Sequence, residues 1–287
     1  MPQSTYISET DPSGALLPDI NEVLYTNFDL SYIPQYGDTY LLKDYQSNVV
    51  SDYFRPYTGD GSLEWPAPLA FDASNNLYVC TIALANFISR VDGEFITNVF
   101  PLNTDTPSGI AFDKDNILYI TIANSNVSFE RQEFIWPQVW TSKILKLDLI
   151  TLNAVELVES GISTNKLDGI CFDNSGNLFV SDSITSTIFK ITETGYSTGV
   201  GEIFASNLAG INTPIGLAAD LYNNIYVCNS GNNNLVRITP QGMLTVVAST
   251  GLDNPTGVTY NPINNCLYVA NYGPLLTNAM IPAKVFV

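Results

Sequence analysis

Hydrophobic and polar residues alternate in short runs along the whole chain, and turns rich in Asn, Asp, Gly and Pro separate these runs. Alternation with a period of two places successive side chains on opposite sides of an extended strand. The 3.6-residue period of an amphipathic helix is not sustained anywhere in the sequence. The pattern therefore predicts an all-β protein built from many short strands.

One segment of the sequence recurs along the chain. It begins with Pro-x-Gly, continues as an alternating run that ends near Phe-Asp, passes through a polar turn and resumes with Leu-Tyr-Val. The Gly position and the Leu, Ile or Val that opens the second run are nine residues apart in five copies and ten in one. Pro68 takes the place of Gly in one copy. The copies begin at Pro12, Pro66, Pro107, Leu167, Pro214 and Pro255.

Each copy is followed by a second run with a basic residue and usually by a third, which gives four short strands per unit. Four-stranded units of this length are the blades of β-propellers, and six units predict a six-bladed ring. We expect one β-propeller domain over residues 1–287. The expected closing strand lies at 1–11, and the expected blades lie at approximately 12–60, 66–105, 106–160, 165–206, 212–250 and 254–287.

The ends of the chain predict how this ring closes. The last unit stops after its third strand, at Lys284–Val287, so its outer strand is missing. The alternating segment Thr5–Ser8 precedes the first unit and could supply that strand. Such a closure leaves only short protected strand edges.

Repeat positions predict structural roles for many polar and aromatic residues. The Asp that ends the first strand of a unit should cap the amides of the following turn. The Tyr of Leu-Tyr-Val should pack between blades. The basic residues at one equivalent strand position should not form a patch. These sets are Asp72, Asp113, Asp173 and Asp220; Tyr25, Tyr78, Tyr119, Tyr226 and Tyr268; and Lys43, Arg90, Lys146, Lys190 and Arg237.

Composition and charge exclude several classes of function. The formal net charge is −17, which argues against a nucleic-acid partner because a phosphate backbone needs a basic surface. The chain contains no His, which removes Ser-His-Asp and Cys-His mechanisms and zinc sites that use His. With 45% hydrophobic and 14% charged residues the chain can bury a large core.

The cysteines and the N-terminus bear on the compartment. The equivalent residues Cys80 and Cys228 should lie in opposite blades, too far apart for a disulfide, and Cys171 and Cys266 should lie two blades apart. We expect four free thiols, and with them a cytoplasmic location or a place within an assembled particle. The N-terminal segment lacks the basic start and apolar run of a signal peptide, and no stretch is long enough for a membrane span.

The six units resemble NHL repeats, and more broadly the six-bladed propellers of the gluconolactonase–regucalcin group. The resemblance implies a divalent-metal centre of a lactonase or esterase in the ring. Asp168 in Leu-Asp-Gly matches one of the family's metal ligands and would also serve as general base. Ser13 and Ser108 stand where a ligand Glu and a ligand Asn are expected, which departs from the family's pattern.

The residues themselves also suggest a site for Ca²⁺ or another divalent cation. Hard oxygen ligands suit such ions, and several carboxylate and amide side chains fall at equivalent strand ends on the face where ligands usually bind propellers. This candidate metal set is Asp168, Asp182, Asn229 and Asn271.

Three insertions between the second and third strands of a unit suggest a different role. They lie at about Phe28–Asp38, Asn124–Thr141 and Tyr272–Pro282, and the second contains two of the three tryptophans. Aromatic loops on a rigid scaffold are typical of interaction surfaces, although the same aromatics could fold back on their own loop. The candidate binding residues are Tyr32, Tyr36, Phe129, Phe134, Trp136, Trp140 and Tyr272.

We therefore expect a non-enzymatic binding or structural assembly module without a cofactor, and keep the metal-dependent lactonase or esterase as the alternative. A protein or peptide partner fits the aromatic loops, and a carbohydrate fits tryptophan stacking. Nucleic acid and membrane insertion are not expected.

Overall fold

The described part of the chain is an all-β structure. The computed structural model describes residues 39–44, 49–54, 66–74, 76–81, 86–92, 95–103, 105–125, 140–157, 165–192, 201–262, 265–271 and 284–286. Its first two strands, β1 (Thr39–Asp44) and β2 (Val49–Phe54), form an antiparallel pair.

Four antiparallel sheets of four strands follow, and in each sheet every strand pairs with the next one along the chain. We number them blades two to five, after the sequence units in which they lie. Blade two consists of β3 (Pro66–Phe71), β4 (Leu77–Thr81), β5 (Asn86–Asp92) and β6 (Phe95–Asn103). Blade three consists of β7 (Pro107–Phe112), β8 (Leu118–Ser125), β9 (Trp140–Asp148) and β10 (Asn153–Leu157).

Blade four consists of β11 (Leu167–Phe172), β12 (Leu178–Asp182), β13 (Thr187–Ile191) and β14 (Gly201–Ser206). Blade five consists of β15 (Pro214–Ala219), β16 (Ile225–Asn229), β17 (Asn234–Ile238) and β18 (Leu244–Ala248). Short 3-10 helices lie at Asn207–Ala209 and Ser230–Asn232. A three-stranded sheet ends the described chain, with β19 (Pro255–Asn261), β20 (Cys266–Asn271) and β21 (Lys284–Phe286).

This architecture is a β-propeller with four-stranded antiparallel blades, which confirms the predicted fold class. The first strands of successive units lie side by side in the order β3, β7, β11, β15 and β19, as expected of the inner strands of a propeller. The six-blade count and the N-terminal closure stay predictions. The proposed closing segment Thr5–Ser8 lies outside the described residues.

In blades three to five the Gly of the repeat is needed because the inner strands of neighbouring blades come very close. A β-carbon at Gly169 would overlap the carbonyl oxygen of Ile215 in the next blade. At Gly216 the same atom would stand 2.7 Å from the carbonyl oxygen of Thr256. Only a residue without a side chain fits such a contact.

Aromatic side chains fill the space between blades. The rings of Tyr78 and Phe112, from blades two and three, have centroids 5.1 Å apart. Tyr119 and Phe172, from blades three and four, are 5.0 Å apart. Tyr226 is buried in a core that includes residues of β19. The predicted packing between blades is confirmed for these three tyrosines, whereas Tyr25 lies outside the described residues.

The predicted Asp caps are confirmed. One carboxylate oxygen of Asp220 accepts the backbone N–H groups of Tyr222 and Asn224, at 2.8 and 2.9 Å. Its other oxygen accepts the Asn224 amide at 2.7 Å and the Tyr226 hydroxyl at 3.1 Å. The same two-amide cap recurs at the equivalent residues Asp72, Asp113 and Asp173.

The predictions for basic residues and cysteines are also confirmed in the described chain. Lys43 lies in β1, and the other four basic residues of the set lie opposite the aromatic residue of the neighbouring strand. These residues are Arg90, Lys146, Lys190 and Arg237. None of the four cysteines forms a disulfide, and all four are buried. None of the described helices is long and apolar enough to cross a membrane.

The insertion in blade three is slightly shorter than expected. It was expected at about Asn124–Thr141, but β8 continues to Ser125 and β9 begins at Trp140. Ser125 pairs with Trp140, and Asn124 pairs with Thr141. The cause is continued cross-strand pairing, which extends this hairpin beyond the length of its counterparts in other blades. Residues 126–139 lie outside the described chain.

Candidate functional site

Two sets of loops lie at the same end of the described blades. In three blades the loop that enters the inner strand is hydrogen-bonded either to the end of the second strand or to the loop that follows it. These bonds run from Ala123 N to Thr106 O (2.9 Å), from Ser183 N to Lys166 O (3.1 Å) and from Ser230 N to Thr213 O (3.2 Å). We call this end of the blades the loop face.

Asp168 enters this face at the start of β11. Its side chain is 8% exposed, and one carboxylate oxygen lies 3.0 Å from the ammonium nitrogen of Lys166. The other oxygen, Oδ2, is buried and has no hydrogen-bond partner among the described residues. The backbone of Asp168 is fixed from the preceding blade, because the Thr121 hydroxyl donates a 2.6 Å hydrogen bond to its carbonyl oxygen. The carboxylate on which the lactonase hypothesis rests is therefore already paired with a cation.

Asp182 ends β12 at the same end of blade four, opposite Leu167 in the strand register. It is fully buried. Its Oδ1 accepts the N–H groups of Ile184 (3.0 Å) and Thr185 (2.9 Å), and so caps the turn between β12 and β13. Its Oδ2 is buried without a hydrogen-bond partner among the described residues.

Asn229 takes the equivalent position in blade five, where its amide is used within the loops. Its side-chain oxygen accepts the backbone N–H of Asn212 at 2.6 Å. Its nitrogen donates to the carbonyl oxygen of Gly210 and to the side-chain oxygen of Asn234. These bonds stabilise the entry loop of blade five, so the oxygen expected to bind a metal already has a partner.

The remaining candidate ligands add little to a metal centre. Asn271 ends β20 opposite Pro255, and only its backbone is described. Ser108, at the family's Asn position, donates a 2.7 Å hydrogen bond to the carbonyl oxygen of Leu167 in the next blade. Ser13 lies outside the described residues. Within the described ranges, no three His, Cys, Asp or Glu side chains are grouped to hold a metal ion.

The aromatic binding residues can be placed only in part. Trp140 is the first residue of β9, at the loop face of blade three, and its backbone alone is described. The other candidates lie outside the described residues; they are Tyr32, Tyr36, Phe129, Phe134, Trp136 and Tyr272. Two apolar side chains not singled out from the sequence are exposed on the loop face, Ile184 at 52% and Leu208 at 96%.

Lys166 was missed by sequence reasoning. It precedes Asp168 by two residues, and residues two apart in an extended segment face the same side. This spacing was the signal that could have identified the ion pair.

The fold is that of a β-propeller similar to the solved propellers of the gluconolactonase group, which is consistent with the resemblance of the repeats. No protein-family model matches the chain, and no curated protein matches it. Solved structures do. A chain in the crystal structure of a nidogen/laminin complex matches with a TM-score of 0.61 and 19% identity, over 83% of this chain and 83% of the matched chain.

Two enzymes have the same fold. A gluconolactonase from Xanthomonas campestris matches with a TM-score of 0.60 and 13% identity, over 84% of this chain and 75% of that one. Virginiamycin B lyase from Staphylococcus aureus matches with a TM-score of 0.54 and 15% identity, over 92% and 83%. At these identities the likeness is one of fold, and the same fold hosts different functions.

Proposed function

We propose that this chain is a non-enzymatic NHL-type propeller that binds a protein or serves as an assembly module through the aromatic loops of its loop face. In this proposal residues 1–287 form one six-bladed ring, and the N-terminal strand completes the last blade. The observation that carries it is the pairing of Asp168 with Lys166 at 3.0 Å. A carboxylate held by an internal cation is a poor ligand and a poor general base.

The loop face supports a binding role by its construction. The hairpin of β8 and β9 is longer than its described counterparts and ends at Trp140 on the loop face, and Trp136 precedes that strand by four residues in the sequence. Exposed Leu208 and Ile184 add apolar surface on the neighbouring loops. Rigid elements that present aromatic and apolar groups are common at protein interfaces. One protein of the same fold is known from a nidogen/laminin complex, so the fold is compatible with protein recognition.

The net charge of the chain limits the classes of partner that it can bind. With a formal net charge of −17, nucleic acid is disfavoured. The same charge favours a protein or peptide with a basic surface. A carbohydrate that stacks on tryptophan is the second class of ligand that we propose.

The alternative is a divalent-metal-dependent lactonase or esterase centred on Asp168. One observation favours it. The buried Oδ2 oxygens of Asp168 and Asp182 have no hydrogen-bond partner among the described residues. A buried oxygen that binds a metal ion would also be without a protein partner when the ion is absent. A lyase mechanism of the virginiamycin type is disfavoured, because a His-to-Ala variant of that enzyme is described as catalytically inactive and this chain has no His.

The two functions can be separated by an assay of lactone and ester hydrolysis with Ca²⁺, Mn²⁺ or Zn²⁺ present. We expect wild-type protein and Asp168→Asn to give the same rate as buffer that contains the metal alone. Hydrolysis by the wild type that Asp168→Asn abolishes would contradict the proposal and establish the alternative. A circular dichroism melt of the variant checks that it is folded.

A further inference from the structure

We propose that the Lys166 ammonium is a built-in cation that takes the place of a divalent metal ion at Asp168. Gluconolactonase-like propellers are expected to hold a metal at this position, and the residues of this chain do not fit one. This inference rests on the proposed non-catalytic role, but it is tested separately from partner binding.

With Lys166 paired to Asp168, the described donor set leaves too few oxygens for a divalent ion. Ca²⁺ takes about six to eight oxygen ligands. Of the candidate ligands, Asn229 uses its oxygen for Asn212 N, and Asp182 uses one oxygen for two turn amides. What remains among the described side chains of the set is one unbonded carboxylate oxygen on Asp168 and one on Asp182.

The charge of the Asp168 carboxylate is already balanced within the protein. Asp168 and Asp182 are both buried, and ionised carboxylates are costly to bury without a counter-charge. The Lys166 ammonium lies 3.0 Å from Asp168, at a direct ion-pair distance, and its own side chain is 30% exposed. A divalent ion bound by Asp168 would therefore meet a fixed positive charge at close range.

The backbone holds Lys166 in this place. Its carbonyl oxygen accepts the N–H of Ser183, which follows Asp182 directly, so the lysine is tied to the strand end that carries the second carboxylate. Asp168 is tied in turn to blade three through Thr121. Both members of the ion pair are thus positioned by backbone contacts rather than by flexible side chains alone.

Removal of the lysine charge should uncover a cation site. In Lys166→Met, both carboxylate oxygens of Asp168 become available as ligands, and water molecules can fill further positions around Ca²⁺. We expect this variant to melt below wild type in EDTA, and millimolar CaCl₂ to raise its melting temperature and to give a saturable calorimetric isotherm. Both effects should be lost in Lys166→Met/Asp168→Asn, which removes both charges.

The matched control is Lys190→Met. Lys190 lies in the same blade but is 3.9 Å from Glu202, a pair at the exposed outer strand. We expect Lys190→Met to melt close to wild type. Any effect of Ca²⁺ on its melting temperature should persist when Asp168→Asn is added. A folded Lys166→Met that gains no Ca²⁺ binding would overturn the inference.

Wild-type protein provides the decisive comparison if Lys166→Met does not fold. Titration of CaCl₂ into wild type and Asp168→Asn should give the same weak surface binding, because Lys166 blocks the centre. A wild-type isotherm that Asp168→Asn abolishes would overturn the inference. That result would not by itself contradict the proposed binding function, because a propeller that holds a metal ion can also bind proteins. The binding function is tested separately by partner capture.

Discussion

The carbonyl oxygen of Ile215 occupies the space in which a β-carbon of Gly169 would lie. The two residues belong to the inner strands of neighbouring blades. The N–H of Gly169 and the carbonyl oxygen of Ile215 both bond to the hydroxyl of Ser181, at 2.8 and 2.7 Å. A glycine, a small hydroxyl and a carbonyl thus join blade four to blade five, and this junction explains why the repeat carries Gly at this position.

Gly169→Ala should destabilise the protein by about 3 kcal/mol, because the added methyl group forces the two inner strands apart. The control is Gly242→Ala, in the turn between β17 and β18. No described atom lies within 4 Å of a β-carbon there, and the only cost is the positive φ of 81°. We expect about 1 kcal/mol for the control, measured by denaturant unfolding. Equal losses in the two variants would contradict the account of this junction.

Ser181→Ala should cost about 1–3 kcal/mol, because it leaves the buried Gly169 N–H and Ile215 carbonyl oxygen without a partner. Ser181→Cys should cost less. Cys228 fills the same repeat position in blade five, where burial raises the pKa of its thiol and the backbone N–H of Gly216 acts in the opposite direction through a hydrogen bond. Urea unfolding of both variants checks the order, and a cysteine variant less stable than the alanine variant would refute it.

Asp72→Asn should lose stability in a pH-dependent way. Burial opposes ionisation of Asp72, but the Asn76 side chain and backbone, the Ser74 N–H and the charge of Arg90 together lower its pKa below the ordinary 3.8. A lowered folded-state pKa means that the carboxylate stabilises the fold above the unfolded-state pKa. This contribution is lost as the pH falls through the folded-state value.

The difference in unfolding free energy between wild type and Asp72→Asn should therefore be constant from neutral pH to about pH 5 and shrink below about pH 4. Chemical unfolding at a series of pH values measures it. A difference that is the same at pH 7 and at pH 3 would show that the charge of Asp72 does not matter to the cap.

Deletion of residues 1–10 should lower the melting temperature by about 5 °C or more, because it removes the strand proposed to complete the last blade. The replacement of Thr5–Ser8 by an equally long Gly-Ser segment is the matched control for chain length, and it should melt like the deletion. An unchanged melt in both proteins would reject this closure and leave the blades described here untouched.

Much of the fold could be predicted because each repeat position has a simple structural role. Asp173 and Asp220 cap turns, and Tyr119 packs against the next blade. Gly169 allows the inner strands of two blades to approach closely, and each of these roles follows from the position in the unit. The end of β8 could not be predicted in this way. Continued pairing of Ser125 with Trp140 depends on contacts between strands, which no local pattern encodes.

The candidate site was predicted less well because its chemistry depends on which partner each polar group finds. Asp168 was singled out as a ligand, but Lys166 pairs with it. Asn229 was expected to face an ion, but its amide supports the entry loop of its own blade. A single sequence gives the residue types at a strand end, whereas the hydrogen bonds that engage them follow from tertiary packing.

The most direct test of the binding function is quantitative capture of partners from native lysate, read by mass spectrometry, with wild type and Trp136→Ala/Trp140→Ala as baits. The control bait is Ile150→Ser, which changes a side chain 94% exposed in the turn between β9 and β10, at the other end of blade three. We expect wild type and Ile150→Ser to enrich the same proteins and the double variant, folded by circular dichroism, to lose them. Equal enrichment by all three baits, or none by wild type, would contradict the account.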